Sequence, residues 1–114
     1  MSKLPEEIKK IQDHAVCLFP EAEIEKAIDR IAKEMGEILH DQNPIFLSVM
    51  NGALIFTGKL ITRLDFPLQM DYVHATRYRG EMHGRDLHWL SVPTIPIENR
   101  VVVVMEDVLD SGLT

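Results

Sequence analysis

Residues 101–114 read Val-Val-Val-Val-Met-Glu-Asp-Val-Leu-Asp-Ser-Gly-Leu-Thr, a β-branched run that leads directly into adjacent carboxylates and a small-residue turn. The valines predict a strand, because β-branched side chains fit the pleated, packed surface of a sheet. Ligands of open α/β sheets bind at the carboxyl ends of the strands. The residues from 106 onward are therefore the first candidates for a functional site.

The segments before this stretch predict more strands of the same sheet. Residues 45–50 form a continuous apolar run, which is typical of a strand buried on both faces of a parallel sheet. Residues 69–78 predict a second strand, and residues 86–92 predict its antiparallel partner across the glycine-bearing loop 80–85. A brief strand is also predicted at 15–18. The sheet should therefore have a parallel core with one antiparallel hairpin.

Helical patterns alternate with these strands. Helices are predicted over 5–14, from Pro20 to a stop at 41–44, and over 53–64. In the long second helix, apolar residues recur with a period near 3.6, and the charged residues between them, including Glu25 and Asp29, predict a solvated face. This alternation predicts an α/β fold. We expect a single domain over 1–114, with a helical region at 1–42 and the core sheet at 43–114.

Composition narrows the class of protein further. The chain has 114 residues and a formal charge of −6, which disfavours binding to nucleic-acid phosphates. Its apolar runs are far shorter than the ~20 residues of a membrane-spanning helix, so no membrane partner is expected. The lone Cys17 cannot form an internal disulfide, which fits a reducing cytoplasm. Because Cys17 lies in an apolar run, we expect a buried, inert thiol.

The residues after the valines suit a sugar phosphate. Glu106 and Asp107 could accept hydrogen bonds from vicinal hydroxyls, such as those of a ribose. The small-residue turn from Asp110 to Thr114 could offer backbone N–H groups and hydroxyls to a phosphate. The alternative is an acidic loop followed by an ordinary helix cap, which Asp110 or Ser111 could supply. The residue types alone leave both interpretations open.

A second strand end, Met50-Asn51-Gly52, could be a plain strand-to-helix turn. The sequence from Gly52 to Lys59 is not a Walker P-loop, because its glycines are spaced wrongly and Leu60 stands where Ser or Thr is required. The G-x-G-x-x-G pattern of dinucleotide binding is absent as well. His83 and His88 have no partner pattern for a metal site and are expected at the surface.

Taken together, residues 101–114 closely resemble the phosphoribosyl-pyrophosphate motif of the type I phosphoribosyltransferases. Residues 50–52 stand where hypoxanthine-type members have a pyrophosphate-binding turn, and residues 71–81 resemble the flexible catalytic loop of bacterial members. The resemblance implies a type I phosphoribosyltransferase fold that is incomplete at its carboxyl end, since the purine-binding residues and a late metal-binding aspartate would lie beyond Thr114. It also implies a cis peptide before Asn51. The substrate-binding residues that it implies are Met50, Asn51, Gly52, Arg77, Tyr78, Glu106, Asp107, Asp110, Ser111, Gly112, Leu113 and Thr114.

The resemblance implies a purine-salvage enzyme, and residues 1–114 alone are expected to be inactive because the purine-binding residues would follow Thr114. The enzyme would transfer 5-phosphoribose from phosphoribosyl pyrophosphate to N9 of hypoxanthine or guanine, releasing pyrophosphate. Asp110 would be catalytic, exchanging a proton with N7, and Mg²⁺ would be the cofactor, bound indirectly by Glu106 and Asp107. A cytoplasmic homodimer or homotetramer is expected. The alternative is a non-catalytic module that uses this fold to sense a nucleotide.

Overall fold

A computed structural model of the chain describes residues 3–77 and 87–108. Within these ranges, four strands form one sheet, in the spatial order Leu87–Ser91, Gln69–Arg77, Ile45–Met50 and Val102–Met105. The predicted α/β architecture, with a parallel core and an antiparallel hairpin, is confirmed. The elements in chain order are α1 (Lys3–His14), α2 (Glu21–Leu39), β1 (Ile45–Met50), α3 (Leu54–Ile61), β2 (Gln69–Arg77), β3 (Leu87–Ser91) and β4 (Val102–Met105).

Strand β1 is the centre of the sheet and pairs in parallel with β2 on one side and β4 on the other. Ser48 of β1 lies opposite both Tyr72 and Met105. The β1–β2 pairing ends at Met50 and His74, although β2 continues to Arg77 beside β3 alone. The carboxyl ends of β1 and β4 therefore meet at one edge, and the hairpin extends beyond that edge.

Helices α2 and α3 cover one face of the sheet. Phe46 and Leu60 are fully buried and Met105 is nearly so, which joins β1, α3 and β4 in one core. Helix α2 adds Ile28 and Ala32, as its helical apolar period predicts. Burial of such side chains stabilises a fold by about 1.5–3 kcal/mol each. This core fixes the positions of the β1 and β4 ends relative to α3.

A cluster of charged side chains joins α2 to α3 and to the turn that follows α3. Glu25 contacts both Lys59 and Arg63, with 2.5 Å between the Lys59 Nζ and a Glu25 carboxylate oxygen. The Arg63 Nε donates to Asp29 at 2.6 Å. The prediction of a purely solvated α2 face is therefore wrong at Glu25, whose side chain is only 29% exposed. A single sequence cannot show that two helical charge patterns will face each other.

The ion cluster predicts a pH-dependent contribution to stability. The Lys59 hydrogen bond and the positive charges of Lys59 and Arg63 hold the pKa of Glu25 below its ordinary value. A depressed folded-state pKa means that the contribution is present above the ordinary carboxyl pKa of about 4.3 and is lost as the pH falls through the folded value. Glu25→Gln should therefore be less stable than wild type at pH 7, and the difference should shrink near pH 3.

The unfolding midpoint in urea, measured at both pH values, checks this expectation. Glu34→Gln is the matched control, since Glu34 lies exposed on the same helix. A stability difference for Glu25→Gln that is equal at pH 7 and pH 3 would contradict the assignment.

The segment before α2 differs from the sequence prediction. Residues 15–20 form no strand, and Val16 and Leu18 are 82% and 80% exposed. The prediction of a strand at 15–18 is wrong, because a short apolar run forms a strand only where a neighbouring strand offers hydrogen bonds. Cys17 is also exposed, so its predicted burial is wrong. Within the described residues, each helix is too short or too polar to cross a lipid bilayer.

Candidate active site

The turn after β1 forms one side of the candidate site. The peptide bond between Met50 and Asn51 is cis, which confirms the prediction made for this position. The Ala53 N–H donates to the Val49 carbonyl at 3.1 Å, and the Leu54 N–H donates to the Asn51 carbonyl at 3.0 Å. These bonds close the turn and lead directly into α3.

A close approach between two chain segments brings this turn against the end of β4. A Cβ atom placed on Gly52 would lie 2.6 Å from Asp107 Cγ and 2.7 Å from its Oδ1. Real side chains do not approach so closely, so the missing Cβ of Gly52 leaves the space that the Asp107 carboxylate occupies. Two of the segments singled out from the sequence, residues 50–52 and 106–107, are therefore adjacent in the folded chain.

The acidic pair at the end of β4 is accessible. Glu106 is half-buried and Asp107 is exposed. The Val108 N–H donates to Asp107 Oδ1 at 2.9 Å, which holds this carboxylate in a local turn. Both side chains line a cleft of about 510 Å³ whose other walls come from α2 and α3, largely from isoleucines and Phe56. The pair can accept hydrogen bonds from a polyol beside an apolar surface.

A buried pair of hydroxyls connects the two elements that flank the turn. Ser48 Oγ and Thr57 Oγ1 lie 3.0 Å apart, and both residues are buried. This bond ties β1 to α3 just before the turn. The pair was not predicted from the sequence, although a signal for it exists there. Ser48 is a polar residue within an otherwise apolar strand, and a buried hydroxyl requires a partner.

The remaining predicted residues are placed only in part. Arg77 is the last residue of β2, on the hairpin that extends past the end of β1. Tyr78, His83 and residues 110–114, including the predicted catalytic Asp110, lie outside the described residues. Their assigned roles therefore remain predictions.

The donor set fits Mg²⁺ held mainly by a substrate. In the part of the chain that the structure describes, no three His, Cys, Asp or Glu side chains are grouped to hold a metal by themselves. Adjacent carboxylates such as Glu106 and Asp107 suit a cation that keeps several waters and binds substrate phosphates, as Mg²⁺ does. A metal cage built from protein ligands alone, of the zinc or calcium kind, has no support among these residues.

Comparison with known proteins identifies the class to which this fold and site belong. The sequence model of the phosphoribosyl transferase domain matches residues 18–114. The chain therefore belongs to the phosphoribosyl transferase domain family.

The individual relatives are named as phosphoribosyltransferases that act on hypoxanthine and guanine. The chain is 34% identical over 108 residues to the hypoxanthine-guanine-xanthine phosphoribosyltransferase of Tritrichomonas foetus. This alignment covers 95% of this chain and 59% of the relative. The chain is 30% identical over 98 residues to the hypoxanthine-guanine phosphoribosyltransferase of Bacillus subtilis, in an alignment that covers 85% of this chain and 54% of the relative. The chain thus spans about half the length of the curated relatives it matches.

A solved structure agrees with this fold. The hypoxanthine phosphoribosyltransferase of Trypanosoma cruzi, in complex with the product IMP, superposes with a TM-score of 0.74 at 27% identity. The superposition covers 84% of this chain and 56% of that one.

Proposed function

We propose that the protein transfers 5-phosphoribose from phosphoribosyl pyrophosphate to N9 of a 6-oxopurine, hypoxanthine or guanine, in purine salvage. The observation that carries the proposal is the contact between Gly52 and the Asp107 carboxylate. It brings a turn suited to pyrophosphate against an acidic pair suited to ribose. In phosphoribosyl pyrophosphate the pyrophosphate is bonded directly to the ribose, so one substrate molecule can reach both the turn and the acidic pair.

Each end of the substrate has proposed partners in the chain. Glu106 and Asp107 accept hydrogen bonds from the ribose hydroxyls, and backbone groups of residues 50–52 bind the pyrophosphate. Residues 110–114 surround the 5-phosphate with N–H groups and hydroxyls. Mg²⁺ would be held by substrate oxygens together with Glu106 and Asp107, through water or ribose hydroxyls, and would neutralise charge on the leaving group.

The chain's residues act mainly by positioning. The bond from the ribose to pyrophosphate breaks as a cation-like sugar forms, so charge stabilisation and alignment matter more than a nucleophile. Asp110 holds or moves the proton at N7 of the base. Arg77 and Tyr78 would close over the sugar and exclude water, which would otherwise hydrolyse it. The assembly into a homodimer or homotetramer, the cytoplasmic location and the domain division at residue 42 remain predictions.

Turnover distinguishes this enzyme from the non-catalytic nucleotide sensor considered above. With phosphoribosyl pyrophosphate, Mg²⁺ and hypoxanthine, the full-length enzyme should form IMP and pyrophosphate in equal amounts, and it is the right material for the assay because the chain spans about half the length of its relatives. The double variant Glu106→Gln/Asp107→Asn should lose about 10²-fold or more in kcat/KM for phosphoribosyl pyrophosphate, because two charge-assisted hydrogen bonds weaken together.

The control for this assay is Asp65→Asn, which changes an exposed carboxylate on the loop after α3. It should keep wild-type kinetics. Binding of phosphoribosyl pyrophosphate without any product from the wild-type protein would favour the sensor and overturn the enzyme.

A further inference from the structure

A buried carboxylate that the proposed chemistry does not use lies on β2. Asp71 is 9% exposed and lies opposite Leu47 of β1. Its Oδ1 accepts a hydrogen bond from the Tyr72 N–H at 2.8 Å. Its Oδ2 accepts bonds from the Thr94 N–H at 2.7 Å, the Ile95 N–H at 2.8 Å and the Thr94 hydroxyl at 3.1 Å. Four donors therefore converge on one side chain.

Three of these donors belong to the segment that leaves the hairpin. Residues 92–96 follow β3 and begin the return to β4 on the opposite edge of the sheet. The Asp71 carboxylate attaches this segment to β2, close to the last β3 pair, between Ser91 and His74. The exit of β3 is thus held to β2 by a side chain as well as by the sheet.

Asp71 lies on β2 shortly before the part of the strand that has no β1 neighbour. Beyond it, the register shifts between His74 and Ala75, and β2 continues without β1 as a neighbour. The part of the hairpin that includes Arg77 therefore projects from a base with two fixed points. One is the pairing of β2 with β1, and the other is the bond network of Asp71.

We propose that Asp71 is a positioning residue for the reaction, because it fixes the base of the hairpin and so the place to which β2 carries Arg77 beyond its last pair with β1, Met50–His74. The proposal rests on the proposed function. Its chemistry requires a carboxylate, since all four partners are donors and an amide would turn its own NH₂ group toward one of them.

The ionisation of Asp71 agrees with this role. The hydrogen bonds from Ile95, Tyr72 and Thr94 lower the pKa of the Asp71 carboxyl, and together they outweigh the effect of burial. The group is therefore charged across the neutral range. Its hydrogen bonds are of the strong, charge-assisted kind.

Two variants test the proposal in the full-length enzyme. Asp71→Asn should raise KM for phosphoribosyl pyrophosphate or lower kcat, so that kcat/KM falls by about tenfold or more, as expected from loss of a charge-assisted bond and an added unpaired donor. Thr94→Val removes only the hydroxyl donor and should change the same parameters by a smaller factor, about two- to fivefold. Amide hydrogen exchange of residues 87–95 should accelerate in both variants.

The control is Leu39→Ala, which removes core volume at the carboxyl end of α2, before β1 begins. All kinetics are measured well below the unfolding temperature of the least stable variant. If Asp71 only stabilised the fold, Leu39→Ala with the same loss of unfolding free energy as Asp71→Asn would lose as much kcat/KM. It would also show the same acceleration of amide exchange in residues 87–95. Either result would overturn the positioning role.

The two proposals fail in different ways. A wild-type protein that makes no nucleotide would overturn the proposed function, and the catalytic part of this inference with it. Unchanged exchange at residues 87–95 in Asp71→Asn would instead overturn the attachment itself, whatever the activity.

Discussion

Replacement of Asp110 by Asn in the full-length enzyme is expected to lower kcat for nucleotide formation by about 10²- to 10⁴-fold, the usual contribution of a positioned acid or base. The dissociation constant of phosphoribosyl pyrophosphate should change little. The reason is that an amide has nearly the same shape as the carboxyl group and can keep the loop conformation, but it cannot accept a proton from N7 of the purine. Single-turnover kinetics and calorimetric titration measure the two quantities separately.

This prediction depends on the proposed role of Asp110, which follows from the resemblance of residues 101–114 to the family motif. Asp65→Asn again serves as the control for a change of one negative charge. Equal losses in turnover and in substrate affinity would mean that Asp110 shapes the phosphate loop and does not take part in proton transfer.

The second large effect is expected at Gly52. Gly52→Ala should lower kcat/KM for phosphoribosyl pyrophosphate by about 10- to 100-fold, because displacement of a positioned group by an ångström can have an effect of this size. The added Cβ would meet the Asp107 carboxylate, with Cγ only 2.6 Å away. That carboxylate is the end of an exposed side chain, so it can turn aside without disrupting the core. The unfolding midpoint should therefore stay close to that of wild type.

A double-mutant cycle tests whether Asp107 transmits the effect. In the Asp107→Ala background, Gly52→Ala should have little further effect on kcat/KM, since the displaced group is already gone. Gly36→Ala is the matched control, because a Cβ there would meet nothing within 4 Å. Independent, additive losses at the two sites would show that Gly52 acts through its own backbone and not through Asp107.

Much of the architecture could be predicted because its signals are local. The run at 45–50 became β1 with the same bounds, and the helical period after Pro20 became α2. The acidic pair at 106–107 was recognisable because it follows a β-branched strand. Where a local pattern lacked a partner in space, prediction failed, as at residues 15–18 and Cys17. An apolar run shows a tendency to be buried, but burial requires a neighbouring element.

The sequence by itself determined the order of helices and strands from α2 onward, the parallel core and the acidic pair at 106–107 as a candidate for ribose binding, and its family resemblance added the stretch at 50–52 as a candidate for pyrophosphate binding. Only the tertiary structure decided which of these groups touch. Gly52 meets Asp107, Ser48 meets Thr57, and Asp71 accepts bonds from Thr94 and Ile95. Such contacts depend on strand register and on the distance of α3 from the sheet, which are set by packing of the whole core. Periodicity along the chain carries no information about distances between residues that lie far apart in it.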